Sequence, residues 1–206
     1  MSGFAQQTTA KRRVIVGISG ASGFSYGVQI LHYLRQAGVE SHVVISPSAH
    51  LNREQETTLS EEDVLALADV VYPFRAVGSA IASGSFRTDG MIVAPCSMHT
   101  LAAIATGMTE NLLTRAADVI LKERRRLVLM ARETPLHLGH LRNMQQVTEM
   151  GGIIFPPVPA LYARPQSVEE IIAHSAARSL GLLGVDCADL PRWGESIAAI
   201  SGSNNK

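Results

Sequence analysis

The chain has 206 residues, of which 46% are hydrophobic and 17% charged, and Lys+Arg and Asp+Glu are both 18, so the formal net charge is zero. That length suits one domain with its own core, and the charge balance gives no reason to expect nucleic acid or an anionic membrane as partner. The low charged fraction leaves apolar surface for other subunits to cover, which predicts a homo-oligomer. The two cysteines, Cys96 and Cys187, fit a reducing, cytoplasmic setting without a disulfide framework.

Residues 1–12 are polar and read as a disordered tail, with neither a signal-peptide core nor a membrane span. The stretch Arg13–Gly27 then sets the pattern of the fold. Val14, Ile15, Val16 and Ile18 read as a short buried strand, and a loop of Ser19, Gly20, Ala21, Ser22 and Gly23 leads into a helix. A glycine-containing turn at a helix start is suited to an anion, because backbone N–H groups and the helix dipole both point at it. The match to the dinucleotide pattern G-x-G-x-x-G fails at Ser19 and Ser22, and a hydroxyl-rich turn suits the single phosphate of FMN at least as well. A tight turn with no ligand is the plain alternative.

Tyr26, Ile30, Leu31, Tyr33 and Leu34 recur at helical spacing up to a stop at Gly38, and His42–Ile45 reads as a second strand ending at Ser46. Strand, helix and strand in this span predict a parallel pair. A helix follows through Glu54 and Glu56, and Ser60 with Asp63 reads as a cap opening a helix over Glu61–Ala68. Val70–Thr88 loses periodicity and is expected to be a long loop. Met91–Ala94 reads as a third strand ending in Pro95-Cys96-Ser97, followed by a helix over Thr100–Gly107.

A helix is expected over Asn111–Arg126, with Arg124–Arg126 as its solvated cationic end, then a strand over Leu127–Met130. A helix over His140–Met150, a strand over Gly152–Phe155, an irregular link through Pro156, Pro157 and Pro159 to Tyr162, and a helix capped by Ser167 and running to Leu183 complete the chain. Residues 196–206 read as a flexible tail. Five βα units over 13–195 predict a single α/β domain, a doubly wound three-layer αβα sandwich on a parallel sheet of the Rossmann or flavodoxin-like kind.

In such a sheet, ligands bind beyond the carboxyl ends of the strands, where this chain puts Ser19–Ser22, Ser46 and Ser97–Thr100. Each serine alone is an ordinary helix cap; together they make a neutral cradle for a phosphate and a polar ring system. Cys96 reads as a nucleophile or as a small buried hydrophobe. Arg132 follows a strand at the site end and suits bidentate contact with phosphate, and Glu133 beside it suits proton transfer; the alternative is a structural ion pair. Lys122, Arg115, Tyr162 and Arg178 are further candidates around the same strand and on the last helix. Glu56 is a surface carboxylate unless its helix leans over the first loop. His137 and His140 have H-x-x-H spacing, but nothing completes a metal set, so no metal is expected.

The conjunction of G-A-S-G at 20–23, S-P-S-A at 46–49, the run at 83–98 ending A-P-C-S-M, R-A-A-D-V-I-L-K-E at 115–123, A-R-E-T-P at 131–135, H-L-R-N-M at 140–144 and L-P-R-W at 190–193 resembles the UbiX-type flavin prenyltransferases. The likeness is greatest to those encoded together with hydroxyarylic acid decarboxylases. It spans about residues 13–194, departing from the family's pattern at Ala131 and over Gly139–Met144. The resemblance implies metal-independent transfer of a dimethylallyl group from dimethylallyl phosphate to N5 and C6 of reduced FMN, making prenylated FMN for a UbiD-type decarboxylase, in a homo-oligomer that the family suggests is a dodecamer.

Carried over, Gly20, Ala21, Ser22, Ser46, Ser97, Met98, His99, Thr100 and Arg132 would hold FMN. Lys122, Arg132, Tyr162 and Arg178 would grip the allylic phosphate with Arg115 close by, and Ser22, Glu56 and Glu133 would handle protons. Ser19 is expected to help seat the mononucleotide. Two other readings are a flavin-dependent cysteine decarboxylase, whose Pro-Ala-Ser-Ala-Asn-Thr motif fails to match Pro95–Thr100 and whose histidine finds only His50 near its place, and a non-catalytic flavin-carrying subunit of a decarboxylase.

Overall fold

The computed structural model describes residues 11–187. The expectations for 196–206, and for the tail up to residue 10, lie outside the described residues. Lys11 and Arg12, read as the end of the tail, are instead held: Arg12 donates from Nη1 to the carbonyl of Gly184 at 2.6 Å and pairs with Asp89, and Lys11 lies 3.6 Å from Asp69.

Six strands form one parallel sheet in the order β3-β2-β1-β4-β5-β6. They are β1 (Arg13–Ile18), β2 (Glu40–Ile45), β3 (Val70–Tyr72), β4 (Gly90–Cys96), β5 (Arg126–Ala131) and β6 (Ile153–Ile154). The helices are α1 (Phe24–Gln36), α2 (Pro47–Glu56), α3 (Glu61–Leu65), α4 (Met98–Thr106), α5 (Leu112–Lys122), α6 (Leu138–Glu149) and α7 (Val168–Gly181). Apolar side chains alternate to the two faces of the central strands. Val14, Val16, Ile92 and Val128 pack with Phe24, Leu31 and Leu34 of α1 and Ala176 and Leu180 of α7 on one face. Ile15, Met91, Val93 and Leu127 pack with α4, α5 and Val147 of α6 on the other, giving the three layers expected.

Three sequence expectations change. The stretch read as a loop from Val70 contains β3, which pairs with β2 through His42↔Val70 to Val44↔Tyr72, so the sheet has six strands rather than five. An edge strand of three residues with only partly covered side chains leaves no alternation to see. The helix after Ser60 is one turn shorter than expected, and the one after Asn111 ends at Lys122. There Arg124 turns through a left-handed φ of 57° and sends the chain directly into β5, so Arg126 is a strand residue, not a helix end. Ser46, Ser60, Ser97, Asn111 and Ser167 cap their helices as side-chain acceptors, and Ser60 with Asp63 forms a full capping box.

Candidate active site at the carboxyl edge of the sheet

The strand order reverses between β1 and β4, so the chain leaves β1 for one face and β4 for the other, opening a crevice at their carboxyl ends. Ser19 ties the two sides of this crevice together. Its Oγ donates to the carbonyl of Pro95 at 2.9 Å and accepts from the N–H of Ser97 at 2.8 Å, and the residue is fully buried. With its hydroxyl donating to one side and accepting from the other, buried Ser19 braces the β1 and β4 turns.

The rest of the first turn is different. Ser22 is exposed at its tip, and Gly23 takes the left-handed φ of 108° that lets α1 start there. Gly20 allows the turn to press against α2: a Cβ there would collide with the Ser48 hydroxyl and lie 2.5 Å from the Ser48 Cβ. Ser46 Oγ accepts from Ala49 N–H and lies 3.2 Å from Ser48 Oγ, while Ser97 Oγ donates to Thr100 Oγ1 at 3.1 Å and caps α4. Thus the capping reading holds: these hydroxyls order the turns and bring the N-terminal ends of α1, α2 and α4 to one edge. Met98 and His99 form the first turn of α4, with His99 exposed.

Helix α2 does lean over the first loop. The Glu56 carboxylate accepts from the N–H groups of Gly23 and Phe24 at 2.8 and 2.9 Å, so it sits on the positive end of α1, within one residue of Ser22. Arg132 continues from β5 on the same edge, its N–H bonded to the carbonyl of Cys96 at 3.1 Å. Its charge reaches Tyr26 in the first turn of α1: burial pushes that phenol up, and Arg132 pulls against it. Glu133 is exposed and accepts from the Thr134 N–H at 2.9 Å; Arg132 and Glu133 do not form an ion pair. Cys96 is the buried hydrophobe of the two readings, its thiol pushed by burial up to about 12. His50 faces Glu61 at 4.0 Å.

Of the remaining candidates, Lys122 lies at the opposite edge. Helix α5 runs back against the strands, so Lys122 at its end lies beside Gly84 at the amino edge of the sheet. From Arg126 to Arg132 is six residues of extended chain, about 20 Å. Arg115 lies two helical turns before Lys122 on the same face of α5 and pairs with Asp118 at 2.8 Å. Arg178 is exposed, one turn before Leu182, whose carbonyl accepts from Arg126 at the amino edge. Tyr162 packs edge-on to His174 of α7, with ring centroids 5.9 Å apart and Oη 3.4 Å from Nε2, one helical turn from Arg178. Within one chain, then, Gly20–Ser22, Ser46, Glu56, Ser97–Thr100, Arg132 and Glu133 share the carboxyl edge, and Lys122 does not join them.

The H-x-x-H histidines are used locally: His137 Nδ1 accepts from the N–H groups of Gly139 and His140, and the two rings stack at 3.6 Å. Among the described residues there is no group of three His, Cys, Asp or Glu able to hold a metal. Tyr26 and Ser48 are the site neighbours that sequence reasoning missed; Ser48 had a signal in its spacing from Ser46 within S-P-S-A.

The Flavoprotein family matches residues 3–179. Over 88% of this chain and 96% of its own length, flavin prenyltransferase UbiX of Neisseria meningitidis is 60% identical. The chain belongs to the UbiX flavin prenyltransferase family. A crystal structure of AnUbiX (PadA1) in complex with FMN and dimethylallyl pyrophosphate superposes with a TM-score of 0.88 at 50% identity, covering 89% of this chain and 97% of that one. A dodecameric FMN-dependent UbiX-like decarboxylase from Escherichia coli O157:H7 gives 0.86 at 47% identity, covering 88% and 98%. The UbiX family fold and the carboxyl-edge crevice therefore coincide in this chain.

Proposed function

We propose that this protein transfers a dimethylallyl group from dimethylallyl phosphate to reduced FMN, releasing phosphate and making prenylated FMN for a UbiD-type decarboxylase. The observation that carries the reading is the convergence, at one sheet edge, of the Glu56-capped turn at Ser22 with Arg132 and Glu133. The cradle suits a flavin mononucleotide: Gly20 lets two turns close together, and Ser46, Ser97 and Thr100 supply neutral hydroxyls among three helix N-termini. When bound, reduced flavin supplies nucleophilic N5 and C6 toward the allylic carbon. Arg132 stabilises the departing phosphate as the carbon–oxygen bond breaks. Glu133, Ser22 and Glu56 would take the protons that N5 and C6 lose and return one of them to the prenyl double bond, whose opening supplies the second of the two new bonds.

Lys122, Arg115, Tyr162 and Arg178 complete the phosphate grip from a second copy of the chain, because a strand's length separates Lys122 from Arg132 in one copy. Leu136, Leu138, Leu141, Val158, Leu161 and Val168 are all exposed, in the stretch that carries Tyr162, and supply apolar surface for that contact. No helix among the described residues is long and apolar enough to cross a membrane. Cys96 and Cys187 are both free thiols, which suits a reducing, cytoplasmic setting.

Anaerobic incubation of the purified protein with reduced FMN and dimethylallyl phosphate tests the function. Mass spectrometry is expected to show flavin carrying one added prenyl group, with phosphate released in equal amount. Recovery of unmodified flavin with no phosphate would overturn the reading.

A further inference from the structure

Arg125, expected to be solvated, is instead a staple. Its Nη2 donates to the carbonyl of Gly84 at 2.7 Å, and its Nη1 donates to that of Phe86 at 2.8 Å and to Thr88 Oγ1 at 3.3 Å. Phe86 is fixed from the other side by His42, edge-on at 5.1 Å, and by the Arg13 guanidinium, 5.1 Å above its ring. The loop so fixed presses Gly84 onto Lys122 and Glu123. A Cβ at Gly84 would collide with the Glu123 carboxylate and lie 2.9 Å from Lys122 Nζ. Lys122 and Glu123 are bonded to each other, and the ammonium holds the carboxyl below the usual carboxylate range. Neighbours in a helix point about 100° apart and do not meet; these two do because Glu123 is already the residue that leaves the helix.

We infer that Glu123, seated by Gly84 and the Arg125 staple, is a positioning residue that fixes the Lys122 ammonium where it meets the phosphate of the allylic donor. This rests on the proposed role of Lys122. A carboxylate beside a phosphate-binding lysine weakens the local positive field, so charge alone gives no reason for Glu123 to be there. Its use is geometric: a long flexible ammonium is held in one place before the ligand arrives.

Charge and position predict opposite results on substitution. If Glu123 positions Lys122, Glu123→Ala raises the donor KM about five- to tenfold with kcat and FMN affinity nearly unchanged, and Glu123→Gln, which keeps the hydrogen-bonding oxygen without the charge, restores most of the loss. Gly84→Ala, whose φ is ordinary, displaces the pair and raises the donor KM similarly, while the thermal midpoint checks that each variant is folded. A donor KM that falls in both Glu123→Ala and Glu123→Gln would show that the carboxylate only screens charge, and overturn the inference. Lys122→Ala separates the two levels. If it raises the donor KM while Glu123→Ala and Gly84→Ala do not, only the positioning role is wrong; if it leaves KM unchanged, the phosphate-binding role of Lys122 fails and this inference with it.

Discussion

The two edges of the sheet are built differently. At the carboxyl edge, short polar side chains and backbone N–H groups make the surface: Ser46, Ser97 and Thr100 are wired to their own helix starts, and one carboxylate, Glu56, occupies two amides of α1. At the amino edge, long charged and aromatic side chains reach across the sequence. Arg13 bonds Glu40 at 3.1 Å, Glu40 bonds buried His42 at 2.9 Å, His42 bonds Tyr72 at 3.0 Å, and Arg125 holds the 84–88 loop. The first edge is a neutral, polar cradle of hydroxyls and helix N-termini that suits an anionic mononucleotide; the second is a fixed frame that sets cations such as Lys122. On the proposed function, each edge supplies half of one site.

The largest expected effect is at the carboxyl edge. Glu133→Gln removes the exposed base beside Arg132 and is expected to lower kcat by about 10²-fold or more while FMN still binds, as followed by single-turnover flavin mass. Full turnover in that variant would separate Glu133 from the proton chemistry. Glu56→Gln keeps an acceptor oxygen but loses the charge on the amides of Gly23 and Phe24. A loss of about 1 kcal/mol in urea unfolding, with a clear drop in turnover, is expected. Loss of stability alone would make Glu56 a cap and nothing more.

The amino edge answers to pH instead. Burial pushes the His42 imidazole below its ordinary 6.5, against the pull of Glu40. For Glu40 itself, burial works upward, but hydrogen bonds from His42 and Arg13 outweigh it and hold the carboxyl low. A histidine with a depressed folded-state value binds its proton more readily when unfolded. Its contribution is therefore intact above about pH 6.5 and is lost as pH falls from there through the folded value. Urea midpoints measured from pH 8 to pH 5.5 are expected to fall in the native protein and to flatten in His42→Asn; equal slopes would show that His42 does not set the pH response. The smallest effect is at Cys96. With its thiol at about 12, iodoacetamide at pH 8 is expected to leave Cys96 unlabelled in the folded protein and to label it in urea.

The contrast between the edges also explains what the sequence could reveal. Helix caps are local, so Ser46, Ser60, Ser97 and Ser167 identified helix starts, and the apolar strands between them gave the three-layer architecture. The carboxyl-edge candidates follow from those starts. Ser19 was legible as a loop hydroxyl but not as a brace, because its partners Pro95 and Ser97 lie 76 and 78 residues away. Arg125 looked like a solvated helix end for the same reason, its partners being 37 to 41 residues distant. β3 escaped because an edge strand buried on neither side fully has no alternation to read. The wide separation of Lys122 from Arg132 was implicit in the length of β5, once α5 was known to run back along the sheet.

The central claim is that the carboxyl edge of one copy and the amino edge of another make one catalytic site. Co-purified mixtures of Lys122→Ala and Glu133→Gln chains test it directly, since a mixed assembly contains some sites in which neither substitution is present. At donor concentrations well below the raised KM of Lys122→Ala, each variant alone is expected to be nearly inactive in forming prenylated FMN, and the mixture is expected to recover a substantial fraction of native activity. A mixture no more active than its components would contradict the shared site.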